Sequence, residues 1–164
     1  MERFITPSSR EEIDVDAQVV FIGGPIQGAD DWQSRAIDYL TTSNEKLIVA
    51  SPRTLDMGKN IPYEVQVDWE TRYLNRASET GAILFYLAKE QKHLCDRAYA
   101  QTSRFELGEW KVRHERDNVK VVVGIEPGFS NERYIRRRLS QDCPDVPVFD
   151  DLYETCQEVI KLLE

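Results

Sequence analysis

Two runs of this chain, residues 19–22 (Val-Val-Phe-Ile) and 82–87 (Ala-Ile-Leu-Phe-Tyr-Leu), are apolar without interruption. A strand with one face in water alternates apolar and polar residues, so unbroken runs mark strands covered on both faces, as in a parallel sheet between helices. Three more segments extend the pattern: 47–50 (Leu-Ile-Val-Ala), 119–124, broken only by Lys120, and 146–149, whose Pro147 suits an edge strand. The stretches between them read as helices. Trp32, Ala36 and Leu40 recur at four-residue spacing after a capping Asp30 or Asp31, with Ile37 widening the stripe. After a loop with Gly58 and Pro62, Val65, Trp69, Tyr73 and Ala77 share one face of a helix over residues 64–77. A third helix is expected from Ser103 and a fourth, basic one from a Ser130 cap. A fifth starts at Asp151, with Leu152, Cys156, Val159, Ile160 and Leu163 as its buried stripe. Strands alternating with helices predict one flavodoxin-like or Rossmann-like α/β domain over residues 17–164, with about five parallel strands and helices on both faces. Residues 1–16 are polar and carry Pro7, Ser8 and Ser9; they read as an N-terminal arm holding at most a short edge strand.

At 164 residues and 41% hydrophobic content, the chain can bury a core of its own without a metal or disulfide staple. Cys95, Cys143 and Cys156 form no CxxC pair and their count is odd. With no leader-like or membrane-length apolar run, the expectation is a reduced, cytoplasmic protein with no membrane partner. His93 and His114 are the only histidines, so no zinc or other metal site is expected. The formal net charge of -8 opposes binding to nucleic-acid phosphates and favours a small-molecule partner. Arg133 and Arg136-Arg137-Arg138 run against that balance; they read as the solvated face of a helix, with a phosphate clamp as the other option.

In an open parallel sheet, ligands bind outside the carboxyl ends of the strands. If 19–22 and 82–87 are neighbours, the segments after them face one crevice. The first is followed by Gly23-Gly24-Pro25-Ile26-Gln27-Gly28, where paired glycines permit a ligand to approach the backbone closely. It is neither a GxGxxG nor a P-loop, and a plain strand-to-helix turn is the alternative. The second is followed by a polar stretch, 88–101, without a period and with the length of a flexible active-site loop. That stretch leads into Thr102-Ser103-Arg104-Phe105-Glu106-Leu107-Gly108. Glu106 is a candidate nucleophile, held ionised by the helix dipole and backbone N–H donors; alternatively, Ser103 and Glu106 form a capping box with no catalytic meaning. Asp68 and Glu70 are the other acidic candidates. Residues two apart on a helix diverge by about 200°, so only one of them can face a cleft, and a solvated helix face is the alternative for both.

The succession Phe21-Ile22-Gly23-Gly24-Pro25-Ile26, Asp31-Trp32-Gln33, Ser51-Pro52-Arg53, Asp68-Trp69-Glu70, the run 82–87 and Arg104-Phe105-Glu106-Leu107-Gly108 resembles the nucleoside 2-deoxyribosyltransferases. Within them it is most similar to the 2-deoxyribosyltransferase-like proteins of bacteria and their phages, over about residues 18–123. The resemblance implies that Glu106 attacks C1′ of a 2′-deoxynucleoside to give a covalent glutamyl sugar. A second base or water then takes the deoxyribosyl group with retention, making a transferase or a hydrolase. It implies no cofactor, Asp68 or Glu70 handling the sugar or the base, and a homo-oligomer in which a neighbour completes the pocket. Gly24, Pro25 and Ile26, with Gly23, would form the floor, and Trp32 and Tyr86 would pack against the base. Thr102 and Ser103 would offer hydroxyls, and Arg53 and Arg104 would contact a phosphate. Ala100 stands where the family usually has an aspartate, six residues before the nucleophile. Gln27 stands where the related 2′-deoxynucleoside 5′-monophosphate hydrolases carry an arginine. The alternatives are a 5′-monophosphate N-glycosidase, an inactive nucleotide-binding module of the same fold, and a scaffold protein in which Glu106 only caps its helix.

Overall fold

The computed structural model describes residues 3–9, 13–54 and 61–164. Along the chain the elements are β1 (Phe4–Ile5), β2 (Gln18–Gly23), α1 (Trp32–Ser43), β3 (Leu47–Ala50), α2 (Tyr63–Thr80) and β4 (Ala82–Leu87). Then follow α3 (Gln101–Asp117), β5 (Val121–Ile125), α4 (Glu132–Asp142), β6 (Val148–Phe149) and α5 (Leu152–Leu163). The six strands form one sheet in the order β1-β3-β2-β4-β5-β6, and every pairing is parallel. β2 and β4 are neighbours, with Phe21 opposite Ile83 and Gly23 opposite Phe85. The strand beyond the expected five is β1, a pair of residues too short to show a period, docked on β3 through Phe4 opposite Val49. Gly58, with the rest of 55–60, and residues 1, 2 and 10–12 of the arm lie outside the described residues.

Side chains alternate along the strands into two core layers. Val19, Phe21, Ile83, Phe85 and Val123 meet α2, α3 and α4 through Tyr73, Ala77, Leu107, Trp110 and Leu139. Val20, Ile22, Leu84, Tyr86 and Val122 turn the other way and meet Trp32, Ala36 and Leu40 of α1 and Leu152, Cys156 and Val159 of α5. Both faces are therefore dry, the physical reason for the unbroken apolar runs. The winding reverses at β2, since β3 and β1 lie on one side of it and β4, β5 and β6 on the other. Such a switch point opens a crevice at the carboxyl ends of its strands. Among the described residues, no helix is long and apolar enough to cross a membrane.

Helix starts separate into two kinds. Asp31 caps α1 by accepting from Ser34 N, and Asp151 caps α5 by accepting from Tyr153 N and Glu154 N. The starts expected at Ser103 and Ser130 lie elsewhere. α3 begins at Gln101 behind Ala100, which is left-handed at φ 54° and makes no side-chain cap bond. α4 follows Asn131, left-handed at φ 64°. On α4, Arg136 donates to the Ile125 carbonyl and pairs with Asp150 and Glu132, while Arg138 pairs with Asp142, so these two arginines belong to a paired helix face. α2 differs from its expected stripe at Val65, which is half exposed, because burial sets in only further along, at Tyr73 and Ala77.

Candidate functional site

A cavity of about 430 Å³ lies at the switch point, within the roughly 300–1,000 Å³ usual for small-molecule sites. Four segments wall it, one of them Pro52 in the turn after β3. The turn after β2 supplies Gly24, Pro25, Ile26 and Gln27, and α2 supplies Tyr63, Gln66, Val67 and Glu70. The loop after β4 and the start of α3 supply Glu90, Leu94, residues 97–103 and Glu106.

Packing fixes the first wall. A Cβ on Gly24 would stand 2.2 Å from the Tyr86 carbonyl oxygen and 2.6 Å from the Trp32 ring, so only glycine lets this turn lie against β4. The Pro25 carbonyl then accepts from Trp32 Nε1 at 2.9 Å and from Gln33 Nε2 at 3.2 Å. Trp32 thus holds the turn from behind and does not reach a ligand. Trp32 and Tyr86, expected to pack against a base, are buried against each other with ring centroids 5.4 Å apart. They lie in the α1 and α5 layer, whereas the cavity lies under α2 and α3; alternation along β4 sends Tyr86 to the wrong face. Gly23 is also absent from the wall, since it ends β2 against the Phe85 ring.

On α2 the helical period decides between the two acids. Tyr63, Gln66, Val67 and Glu70 recur at three- and four-residue spacing and share the cavity face, while Asp68 points to solvent. Gln66 Nε2 donates to Glu70 Oε1 at 3.0 Å. Burial raises the Glu70 carboxyl above its ordinary range, and the Gln66 bond acts against that rise.

On α3, Ser103 and Glu106 are three apart and face the cavity, with Thr102 beside them. The helix starts too early for a capping box: Glu106 sits in its second turn and, among the described residues, its carboxylate has no hydrogen-bond or ion-pair partner. The expectation of a carboxylate held ionised by N–H donors is overturned with it. Burial, then the nearby Glu70 and Glu109, push the Glu106 carboxyl up to about 8. Arg104, about 100° around the helix from Ser103, turns away from the cavity. Its Nη2 donates to Ser130 O at 2.8 Å and Ser130 Oγ at 2.6 Å, and its guanidinium lies 4.4 Å over the Phe129 ring. Arg53 is equally committed, to Gln33 Oε1 at 3.3 Å and Asp31 Oδ1 at 3.4 Å, and the wall takes its neighbour Pro52 instead. Neither expected phosphate contact faces the cavity.

No protein-family model matches the chain, and no curated protein matches it.

The segment 88–100 has no helix or strand, as its lack of period implies, and it is anchored near both ends. Gly28 O accepts from Gln91 N at 2.7 Å and Lys92 N at 3.0 Å, Lys89 N donates to Glu126 Oε2 at 2.9 Å, and Tyr99 OH donates to Ala88 O at 2.7 Å. Between these ties it carries Arg97 to the cavity wall. Arg97 and Gln66 escape sequence reasoning for different reasons. An unpatterned loop gives no register for Arg97, whereas the four-residue spacing from Gln66 to Glu70 was available as a signal.

Proposed function

We propose that the protein breaks and transfers the N-glycosidic bond of a 2′-deoxynucleoside, with Glu106 as nucleophile and Glu70 as its acid–base partner. The observation that carries this reading is the convergence of two half-buried glutamates, from α2 and α3, on one cavity at the switch point of a parallel sheet. The resemblance to the 2-deoxyribosyltransferases supports it through the motif around Glu106. In the first step a Glu106 carboxylate oxygen bonds to C1′ as the C1′–N bond breaks, and the base leaves with a proton from the Glu70 carboxyl. In the second, a new base or water attacks C1′ and the ester to Glu106 opens, returning the proton to Glu70. Two displacements at one carbon retain its configuration. Glu106 is only roughly a tenth ionised at pH 7 with a pKa near 8. Positive charge growing at C1′ favours the ionised form during the reaction. Exposed Tyr63, Val65 and Phe105 near the cavity support the further proposal that copies of the chain assemble around it.

One observation favours a second reading. A carboxyl that is mostly protonated at neutral pH also suits a nucleotide-binding module without turnover, in which Glu106 donates a hydrogen bond to its ligand. Incubation with 2′-deoxyinosine plus adenine, and separately with deoxynucleoside monophosphates, followed by chromatography, separates the readings. Base exchange identifies a transferase and free base without exchange a hydrolase. Binding with no base released supports the module and contradicts the enzymatic proposal.

A further inference from the structure

We propose that Gln66 reads the departing base and selects one whose protonated ring nitrogen stands beside an exocyclic amino group, as in adenine, an inference that rests on the deoxyribosyl reading above. Gln66 and Glu70 lie one turn apart on the cavity face of α2. Gln66 Nε2 donates to Glu70 Oε1 at 3.0 Å, and among the described residues neither Gln66 Oε1 nor Glu70 Oε2 has a hydrogen-bond partner. That bond sets the polarity of both groups. With Oε1 engaged as an acceptor, a proton on Glu70 sits on Oε2, and with Nε2 turned to Glu70, Gln66 presents its carbonyl Oε1. The α2 wall thus offers a proton donor and an acceptor side by side. Pro25, Ile26 and Leu94 add apolar surface against which a planar base can lie.

On adenine the N7 acceptor stands next to the 6-amino donor, whereas a 6-oxo purine such as guanine or hypoxanthine carries two acceptors there. Adenine matches the wall group for group. N7 takes the Glu70 proton, the amino group donates to Gln66 Oε1, and Glu106 bonds to C1′. The electron pair of the broken C1′–N9 bond stays with the base, which leaves as the neutral tautomer protonated at N7. A 6-oxo base sets oxygen against oxygen. Turning the Gln66 amide over to donate to that oxygen would bring its own Oε1 to Glu70, where it repels the carboxylate or holds the proton that the base needs. Glu70 therefore enforces the amide's orientation, and one hydrogen bond ties base selection to proton supply.

Base release from 2′-deoxyadenosine and 2′-deoxyinosine, which differ at the 6-position, reads the selection. Wild-type kcat/KM should favour 2′-deoxyadenosine at least roughly tenfold. Gln66→Met keeps a good helix former and removes both amide groups, so its ratio should fall to near unity. 7-Deaza-2′-deoxyadenosine, with no N7 to protonate, should keep its base. In calorimetric titrations wild type should bind adenine at least roughly tenfold more tightly than hypoxanthine, a difference that Gln66→Met abolishes. Equal rates on the two nucleosides, a preference that Gln66→Met retains, or cleavage of the 7-deaza analogue overturns the inference and leaves the deoxyribosyl reading standing. Adenine preferred through Gln66 by a protein that releases no base from either nucleoside or its 5′-monophosphate supports the amino-reading site and removes the deoxyribosyl reading. Equal binding of adenine and hypoxanthine by such a protein overturns both.

Discussion

Helices α3 and α5 cover opposite faces of one sheet and begin in opposite ways. Asp151 closes α5, accepting from Tyr153 N at 2.8 Å and Glu154 N at 3.1 Å, and the stripe behind it, Cys156 and Val159, is fully buried. α3 starts from a left-handed alanine, leaves its first amides open, and sets Ser103 and the half-buried Glu106 against the cavity with no hydrogen-bond partner among the described residues. Every choice at the start of α5 favours the folded chain on its own. The start of α3 carries backbone strain at Ala100 and, one turn on, an acid whose charged form burial disfavours, two costs that the start of α5 does not have. That contrast locates the site more firmly than the cavity alone, because a crevice can be incidental whereas a costly arrangement is retained for a purpose.

The sharpest way to break the contrast is Glu106→Gln. Turnover should fall on the order of a thousandfold or more in steady-state assays, while the protein becomes more stable at neutral pH. The sign follows from the proton. The folded Glu106 carboxyl holds its proton up to about 8 against an ordinary 4.5, so the stability this group contributes is full below about 4.5 and is lost as pH rises through 8. Glutamine removes that loss, a gain of up to about 3 kcal/mol at pH 7, checked by thermal melts of both proteins at pH 5 and pH 8. A pH profile sharpens the same point. For wild type, kcat/KM should rise with pH as Glu106 ionises and fall again where Glu70 loses the proton it gives the leaving base; Glu70→Gln should lower turnover, and an NMR titration of its Glu106 carboxyl should show the midpoint moved down by the lost negative charge. On the closed side, Asp151→Ala should cost about 1 kcal/mol in urea unfolding and leave turnover unchanged. The smallest effect is expected at the open side's backbone, where Ala100→Gly should stabilise by up to about 1 kcal/mol because glycine accepts the left-handed conformation.

The layered fold was legible because two-sided burial leaves a direct trace in composition, and β3 and β4 fall on their expected residues. The short edge strand allowed for in the N-terminal arm is β1, but its residues and its place beside β3 were not legible, since two residues carry no period. At the site, helical geometry foretold that only one of Asp68 and Glu70 could face a cleft, but choosing Glu70 needed the orientation of α2 on the sheet. The aromatic pair Trp32 and Tyr86 misled because an apolar ring near a motif looks alike whether it serves the core or a ligand. The capping-box expectation failed for a different reason: Ala100 opens the helix through backbone conformation, which an alanine in the sequence does not announce. The protonation state of Glu106 was out of reach as well, because it depends on burial and on a glutamate 36 residues away in the chain.

The most direct test is intact-protein mass spectrometry after acid quench of wild type mixed with a 2′-deoxynucleoside, and in parallel with its 5′-monophosphate. The account predicts a mass gain of one 2-deoxyribosyl group, with its phosphate where present, mapped by peptide sequencing to Glu106 and absent from Glu106→Gln. Base release with no adduct, or an adduct on any other side chain, would contradict it.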